Sequence, residues 1–309
     1  MRRLPALDPR LPDWTNDLNY ERPCPFCGND ETDPLFERPD QSTVHGCDEC
    51  GCRFIKPAVS PSRLRDFYST YTEHARWRQL DERWLEELAN HDATLDDPIR
   101  RLVTYGPFGR VLDVGSGSGR HVAAFLSLGA EVVALDPNPA ARAVAQALGA
   151  EAIAEPLEAC DFEGAFDAVL LHDLVEHPLD PLPLLRAAYR ALRPGGVLSV
   201  WTPNGASRHD ADGAGPTVFR VDLEHMQWLT PLTVTRLAHE LGAEIAHLEV
   251  EGQPDLAGFG LSAVADSGAR APGLARRLGD AWDLAVHGRT RRIAEPLGDY
   301  HVFAILRHT

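Results

Sequence analysis

Two groups of residues have types and spacing that could do chemistry. The first is the run Val111-Leu-Asp113-Val-Gly115-Ser-Gly117-Ser-Gly119, with Asp136 following 21 positions after Gly115. A short apolar run entering glycines and then a helical pattern predicts a strand, a tight turn and a helix. Glycine lets the backbone approach a ligand closely, and a helix N-terminus favours a carboxylate or phosphate. Asp136 ends a second apolar run, at about the separation that places an acid on ribose hydroxyls. The second group is Cys24-Pro-Phe-Cys27 and Cys47-Asp-Glu-Cys50, with nineteen residues between the pairs. That is the spacing of two zinc-ribbon knuckles. Four thiolates satisfy tetrahedral zinc with no open position, so such a site is structural and does not activate water. Cys52 and His45 are spare, and either could stand in for one of the four. Cys160 reads as a small buried apolar residue.

The glycine spacing separates cofactor classes. A dinucleotide fingerprint needs a third glycine at position 120, which is Arg120, and no P-loop lysine follows. The observed G-x-G-x-G preceded by Asp113 is the pattern of an S-adenosylmethionine (SAM) site. Acids and imidazoles cluster after later apolar runs. His172 and Asp173 follow Phe166–Leu171, His177 stands one turn on, and His225 lies in the segment VDLEHMQWLTP. Open α/β folds bind ligands outside the C-terminal ends of their strands, and imidazole suits proton removal near neutral pH. His172 and His225 rank first as bases, with His177 and Asp173 behind them.

The elements that must position these groups follow from periodicity. Strands are predicted at 110–114, 131–135, 152–154, 166–171 and 197–201, with helices at 121–128, 139–148 and 181–192 between them. Such alternation implies βαβ units and a parallel sheet, with right-handed crossovers placing helices on both faces. A helix at 231–241, a strand at 244–250, a helical stretch at 265–297 and a strand at 300–306 complete the pattern. Ahead of them, residues 1–23 read as an irregular arm, 24–60 as the ribbon and 61–105 as a helical lid or linker. That linker holds helices from Pro61 and over 77–95, whose aromatic residues form a packing stripe. Residues 106–309 are the main domain.

Composition narrows the function. The 309 residues carry 30 basic and 46 acidic side chains, a net charge of −16, and Lys56 is the single lysine. This balance argues against broad contact with a phosphate backbone. Segment 22–56 sets Arg22, Arg38, Arg53 and Lys56 against several acids and has no net basic patch. Five of the six cysteines fall within 24–52, and the N-terminus lacks the apolar region of a secretory leader. Metal is therefore expected before disulfide, and a cytoplasmic location is expected. No run approaches the ~18–20 apolar residues of a membrane span.

The DVGSGSG loop, Asp136, FDAVLLHDLVEHPLD and LRPGGVLSVWTPN together resemble class I SAM-dependent methyltransferases across 106–309. The order CPFCG, CDECGCRFIKP, DFYSTY ahead of that core resembles bacterial methyltransferases with an N-terminal zinc ribbon. The resemblance implies an α/β, Rossmann-like, seven-stranded, mostly parallel sheet whose last strand is antiparallel. It places Gly115, Gly117 and Gly119 against the methionine part of SAM and Asp113 near its amino end. Asp136 would hold both ribose hydroxyls, Glu155, Pro156 and Leu157 would lie beside adenine, and His172 beneath the sulfonium. Tyr68 and Tyr71 would close over the cofactor. Asp173-Leu-Val-Glu176-His177 resembles the acid-x-x-Glu-His motif by which some quinone-pathway O-methyltransferases hold a divalent cation, with Asp in place of Glu at its first position. The expected function is methyl transfer to a small molecule such as a secondary metabolite, sugar or phenol. The alternatives are an RNA or protein methyltransferase docked by the ribbon, and a non-catalytic SAM- or partner-binding module. The ribbon is expected to dock, to act as a lid or to support a homodimer.

Overall fold

A computed structural model of the chain describes residues 1–7, 14, 16–69, 82–90, 92, 98–211, 213–252 and 299–309. The expectations for Tyr71 and for a helix at 265–297 lie outside the described residues. The main sheet has seven strands: β6 (Arg110–Val114), β7 (Glu131–Leu135), β8 (Glu151–Ile153), β9 (Phe166–His172), β10 (Leu192–Pro203), β12 (Glu244–Glu251) and β13 (His301–Arg307). Their spatial order is β12-β13-β10-β9-β6-β7-β8. The last strand is antiparallel to both its neighbours, and the pairs among β10, β9, β6, β7 and β8 are parallel.

Alternation along each strand explains the two helical layers. Leu112, Val133, Val169, Leu171, Val302, Ala304 and Leu306 face one apolar cluster, packed by Leu184, Leu185, Val234 and Leu237 from the helices Leu182–Ala191 and Pro231–Leu241. Val111, Val132, Ala168, Leu170, Phe303 and Ile305 face the other. There the packing comes from Val122, Phe125 and Ala145, on the helices Arg120–Ser127 and Pro139–Leu148. The chain runs from β6 outward through β7 and β8, then returns to pair β9 on the other side of β6. That reversal opens a crevice at the carboxyl ends of β6 and β9, where α/β sheets bind ligands.

Three elements differ from the sequence reading. The expected irregular arm contains β1 (Leu18–Tyr20), paired antiparallel with β5 (Ala58–Val59), and Arg3 bridges Glu37. Strand β10 begins at Leu192, with a register shift before Val197, so the preceding helix stops at Ala191. The ribbon strands β2 (Asp33–Glu37), β3 (Thr43–Gly46) and β4 (Arg53–Ile55) do not form a closed unit. A fourth strand, β11 (Gln227–Trp228), joins them from the main domain in the order β11-β4-β3-β2. A two-residue strand carries no periodic signal, so only its distant partner reveals it. In the linker, helices Pro61–Ser69 and Glu82–Asn90 are present, Trp84 and Leu88 of the latter being buried.

Candidate active site

The glycine loop leaves β6 and turns over the end of β7. The amides of Gly115 and Ser116 donate to the Leu135 carbonyl at 2.7 and 3.2 Å. Gly115, Gly117 and Gly119 have φ of +75°, +49° and +80°, values that other residues rarely adopt. A Cβ on Gly119 would come within 2.7 Å of Val144 Cγ1, so the loop is also closed from behind. Asp136 follows β7 and is 7% exposed. Its carboxylate accepts from the amides of Gly117 (2.9 Å) and Asn138 (2.8 Å), which fixes its orientation. Burial raises its pKa, while those two amides work against the shift.

Beneath the loop, the buried Asp113 Oδ2 and Ser116 Oγ have no hydrogen-bond partner among the protein atoms. An unsatisfied buried acceptor costs roughly 1–3 kcal/mol. Such orphans beside a glycine turn fit the amino end of an amino-acid-bearing cofactor. Glu155 and Pro156 are exposed beyond β8, whereas Leu157 is buried and opens the 3-10 turn Leu157–Ala159. Cys160, expected to be buried, is half-exposed because it closes that surface turn.

His172 ends β9 and is engaged on both ring nitrogens. Nε2 lies 2.7 Å from Ser199 Oγ, and Nδ1 lies 3.5 Å from Nε2 of His121. Burial, then the charge of His121, pushes its pKa well below the ordinary value, so the ring is neutral. His121 is a residue that the sequence reading passed over, since a lone imidazole opening a helix carries no motif. Its Nδ1 lies 3.4 Å from Asp113 Oδ1. Burial opposes its charge, but Asp113 carries its pKa above the ordinary value.

A second cluster lies in the turn after β9 and the loop before β11. Ligand-type atoms of Glu176, His177 and His225 all lie within 4.8 Å of one another. Glu176 is fully buried; Thr202 Oγ1 donates to its Oε2 at 2.9 Å, while Oε1 has no hydrogen-bond partner. Burial, then the charge of Asp173, pushes the Glu176 pKa well up. The His177 and His225 rings meet edge to face at 4.8 Å. Tyr68 Oη reaches His177 Nδ1 at 2.7 Å, so Tyr68 joins this cluster.

Residues 173–177, which would gather the acid-x-x-Glu-His motif on one face if helical, are not helical. These residues form turns, and the helix begins at Leu182. Pro178 disfavours helical geometry at His177, and Asp173 is left-handed at φ +48°. Asp173 is therefore outside the three-residue cluster, and His225 takes a place in it. Crowding by the surrounding protein raises Asp173 to about 6, although part of the residue stays exposed, with His121 pulling the other way.

The sulfurs of Cys24, Cys27, Cys47 and Cys50 all lie within 4.8 Å of one another. The pairs Cys24–Cys50 and Cys27–Cys47 are each 3.4 Å apart, and all four thiols are free. The two knuckles thus present four donors to one centre, a set suited to zinc. His45 turns away to Thr32, and Cys52 donates to the Arg53 carbonyl at 3.3 Å. Neither belongs to the four-sulfur group.

Residues 76–248 match the family model described as a methyltransferase domain, and the chain belongs to that family. It is 36% identical over 137 residues to a ubiquinone biosynthesis O-methyltransferase of Xanthomonas oryzae, covering 42% of this chain and 56% of that protein. It is 41% identical over 120 residues to the enzyme of the same name from Ruegeria pomeroyi, covering 34% and 46%. The chain thus spans about half the length of these relatives. A SAM-dependent methyltransferase from Archaeoglobus fulgidus shares the fold, with a TM-score of 0.50 and 18% identity over 74% of this chain and all of that one. Among the described residues, no helix is long and apolar enough to cross a membrane.

Proposed function

We propose that the chain is a SAM-dependent methyltransferase acting on a small molecule. The observation that carries the reading is the pair of carboxylates at the crevice. Asp113 presents an orphaned buried oxygen beneath the glycine loop, and Asp136 is locked by two loop amides at the next strand end. Asp113 would receive the ammonium group of the donor and Asp136 its ribose hydroxyls. Gly115, Gly117 and Gly119 would admit the methionine portion, with Glu155, Pro156 and Leu157 beside the adenine. When bound, SAM supplies the methyl group and an excellent leaving group. The chain's own work is to align donor and acceptor, which can supply several kcal/mol of the barrier. It must also take a proton from a hydroxyl, amine or acidic carbon.

His172 has both nitrogens engaged, so we assign it to lining the donor pocket. His177 and His225, beside Glu176, are better placed to handle the acceptor proton, either as bases or as ligands of an ion that acidifies the acceptor. Burial keeps His177 neutral by lowering its pKa, against the pull of Glu224. Zinc is assigned to Cys24, Cys27, Cys47 and Cys50 as a structural ion. The unpartnered Glu176 Oε1 beside two imidazoles favours a divalent cation held by Glu176, His177 and His225. Such an ion would lower the pKa of an acceptor hydroxyl, which agrees with the O-methyltransferase names of the relatives. The net charge of −16 and the engagement of the ribbon with β11 weigh against RNA docking.

The test uses methyl-labelled SAM and a cell extract freed of macromolecules by filtration. Label should pass into a small molecule, and Asp136→Asn should weaken binding of S-adenosylhomocysteine about 10-fold or more by calorimetry, as loss of charge-assisted hydrogen bonds predicts. Parent protein that binds neither SAM nor its demethylated product would end the enzyme reading. Label appearing only in added RNA or protein would move the acceptor to a macromolecule.

A further inference from the structure

We propose that Arg38 is a positioning residue for the acceptor side, and that through it the ribbon serves as a wall of the active site. The inference rests on the methyltransferase reading but comes from different atoms. Arg38 follows β2 in the tight turn to β3 and is fully buried. Its Nη1 donates to the His225 carbonyl at 2.8 Å, and its Nη2 donates to the Leu223 carbonyl. Asp40 receives Nη2 at 2.6 Å and Nε at 3.3 Å, and is itself held by the amide and hydroxyl of Ser42. The guanidinium also lies 5.4 Å from the Trp228 ring. A buried arginine costs much unless its donors are satisfied. Here they are satisfied by main-chain oxygens of a loop 185 and 187 residues away.

That loop carries His225; Trp14 Nε1 also donates to its Leu223 carbonyl at 3.2 Å, and His225 N to the Asp222 carbonyl at 3.0 Å. Asp222 has φ +47°, a strained value for a residue with a side chain. The next residues run straight into the shared sheet. Ile55 N donates to Met226 O at 2.9 Å, and Met226 N donates to the Glu176 carbonyl at 2.8 Å. Gln227 completes the frame: its Nε2 donates to the carbonyls of Val175 (2.8 Å) and Pro178 (2.5 Å), on either side of Glu176 and His177. Arg22 donates to Gln227 Oε1 at 3.1 Å. The turn bearing Glu176 and His177 and the loop bearing His225 therefore share one ribbon-side frame. Arg38 fixes the His225 half of it. A lysine could reach one carbonyl but not span two carbonyls and a carboxylate, because it lacks the planar fork.

The test uses the full zinc-loaded chain labelled with nitrogen-15 histidine, with S-adenosylhomocysteine as the donor-side probe. His225→Gln assigns the His225 ring signals. Arg38→Lys and Asp40→Asn should each bind the probe within about twofold of the parent. In both, the His225 ring signals should move or split while those of His121 and His172 stay in place, with the smaller effect in Asp40→Asn. His225 signals that superimpose on the parent's in both variants would overturn the proposal. Should Arg38→Lys fail to fold, Asp40→Asn alone decides by the same criterion. A parent that takes up no probe would overturn the methyltransferase reading on which the inference stands.

Discussion

His121 and Asp113 show how one pair can serve stability and ligand binding together. The Asp113 carboxylate turns Oδ1 to His121, and Oδ2, which has no hydrogen-bond partner among the described residues, is the atom proposed to receive the cofactor. Because the folded pKa of His121 is raised, protonation favours the folded state. The contribution is full below the unfolded value of about 6.5 and is lost as pH rises through the higher folded value. His121→Asn should therefore flatten the fall of Tm between pH 6 and 9. The expected difference from the parent is about 1–3 °C across that range. Parallel melting profiles for parent and variant would remove the coupling. Asp113 was legible in the sequence because a motif surrounds it. His121 was not, since its role exists only through the fold that brings β9 and the loop together.

The turn between β6 and the helix Arg120–Ser127 is the element on which the proposed donor pocket depends, and its Gly119 differs in kind from Gly129, which follows that helix. A side chain at Gly129 would meet nothing within 4 Å, although φ is +84° there. At Gly119, with φ +80°, it would press on Val144 and Leu148 as well. Gly129→Ala should therefore cost only the backbone strain, about 1 kcal/mol. Gly119→Ala should add displacement of the neighbouring helix, for a total of about 1–3 kcal/mol in denaturant unfolding. Equal costs at the two sites would show that the contact with Val144 is relieved freely. Strands such as Arg110–Val114 and Glu131–Leu135 were readable to the residue because both faces are buried and the apolar run is continuous. The turn at 173–178 was hard to read because an acid followed by Glu-His imitates a helix start. Pro178 was the local signal against it, and β1 and β11 had no local signal at all.

At the scale of the molecule, the ribbon and the main sheet share one apolar interior. Cys24, Phe26, Cys47, Cys50, Cys52 and Phe54 belong to the same buried cluster as Leu112, Val169, Leu198 and Val234. The second knuckle also sits on the capping box of the helix Pro231–Leu241, with Thr233 Oγ1 donating to the Cys50 carbonyl at 3.0 Å. A division into an independent ribbon and an independent methyltransferase domain would cut through this cluster. Removal of the proposed zinc should then release more than the ribbon. Structural zinc contributes on the order of 10 kcal/mol where it organises a small fold, so chelation should unfold the strands that the knuckles hold. Hydrogen exchange on the full chain reads this directly. After treatment with a strong chelator, amides of Arg53–Ile55 should lose protection together with that of Trp228, which pairs with Arg53, whereas the amides of Met226 and Gln227 donate to the Glu176 carbonyl and should keep more of theirs. Amides of β6, β7 and β9 should keep theirs, since their partners lie within the parallel sheet. If the ribbon amides exchanged while Trp228 stayed protected, the shared sheet would not transmit the metal's contribution to the loop that carries His225.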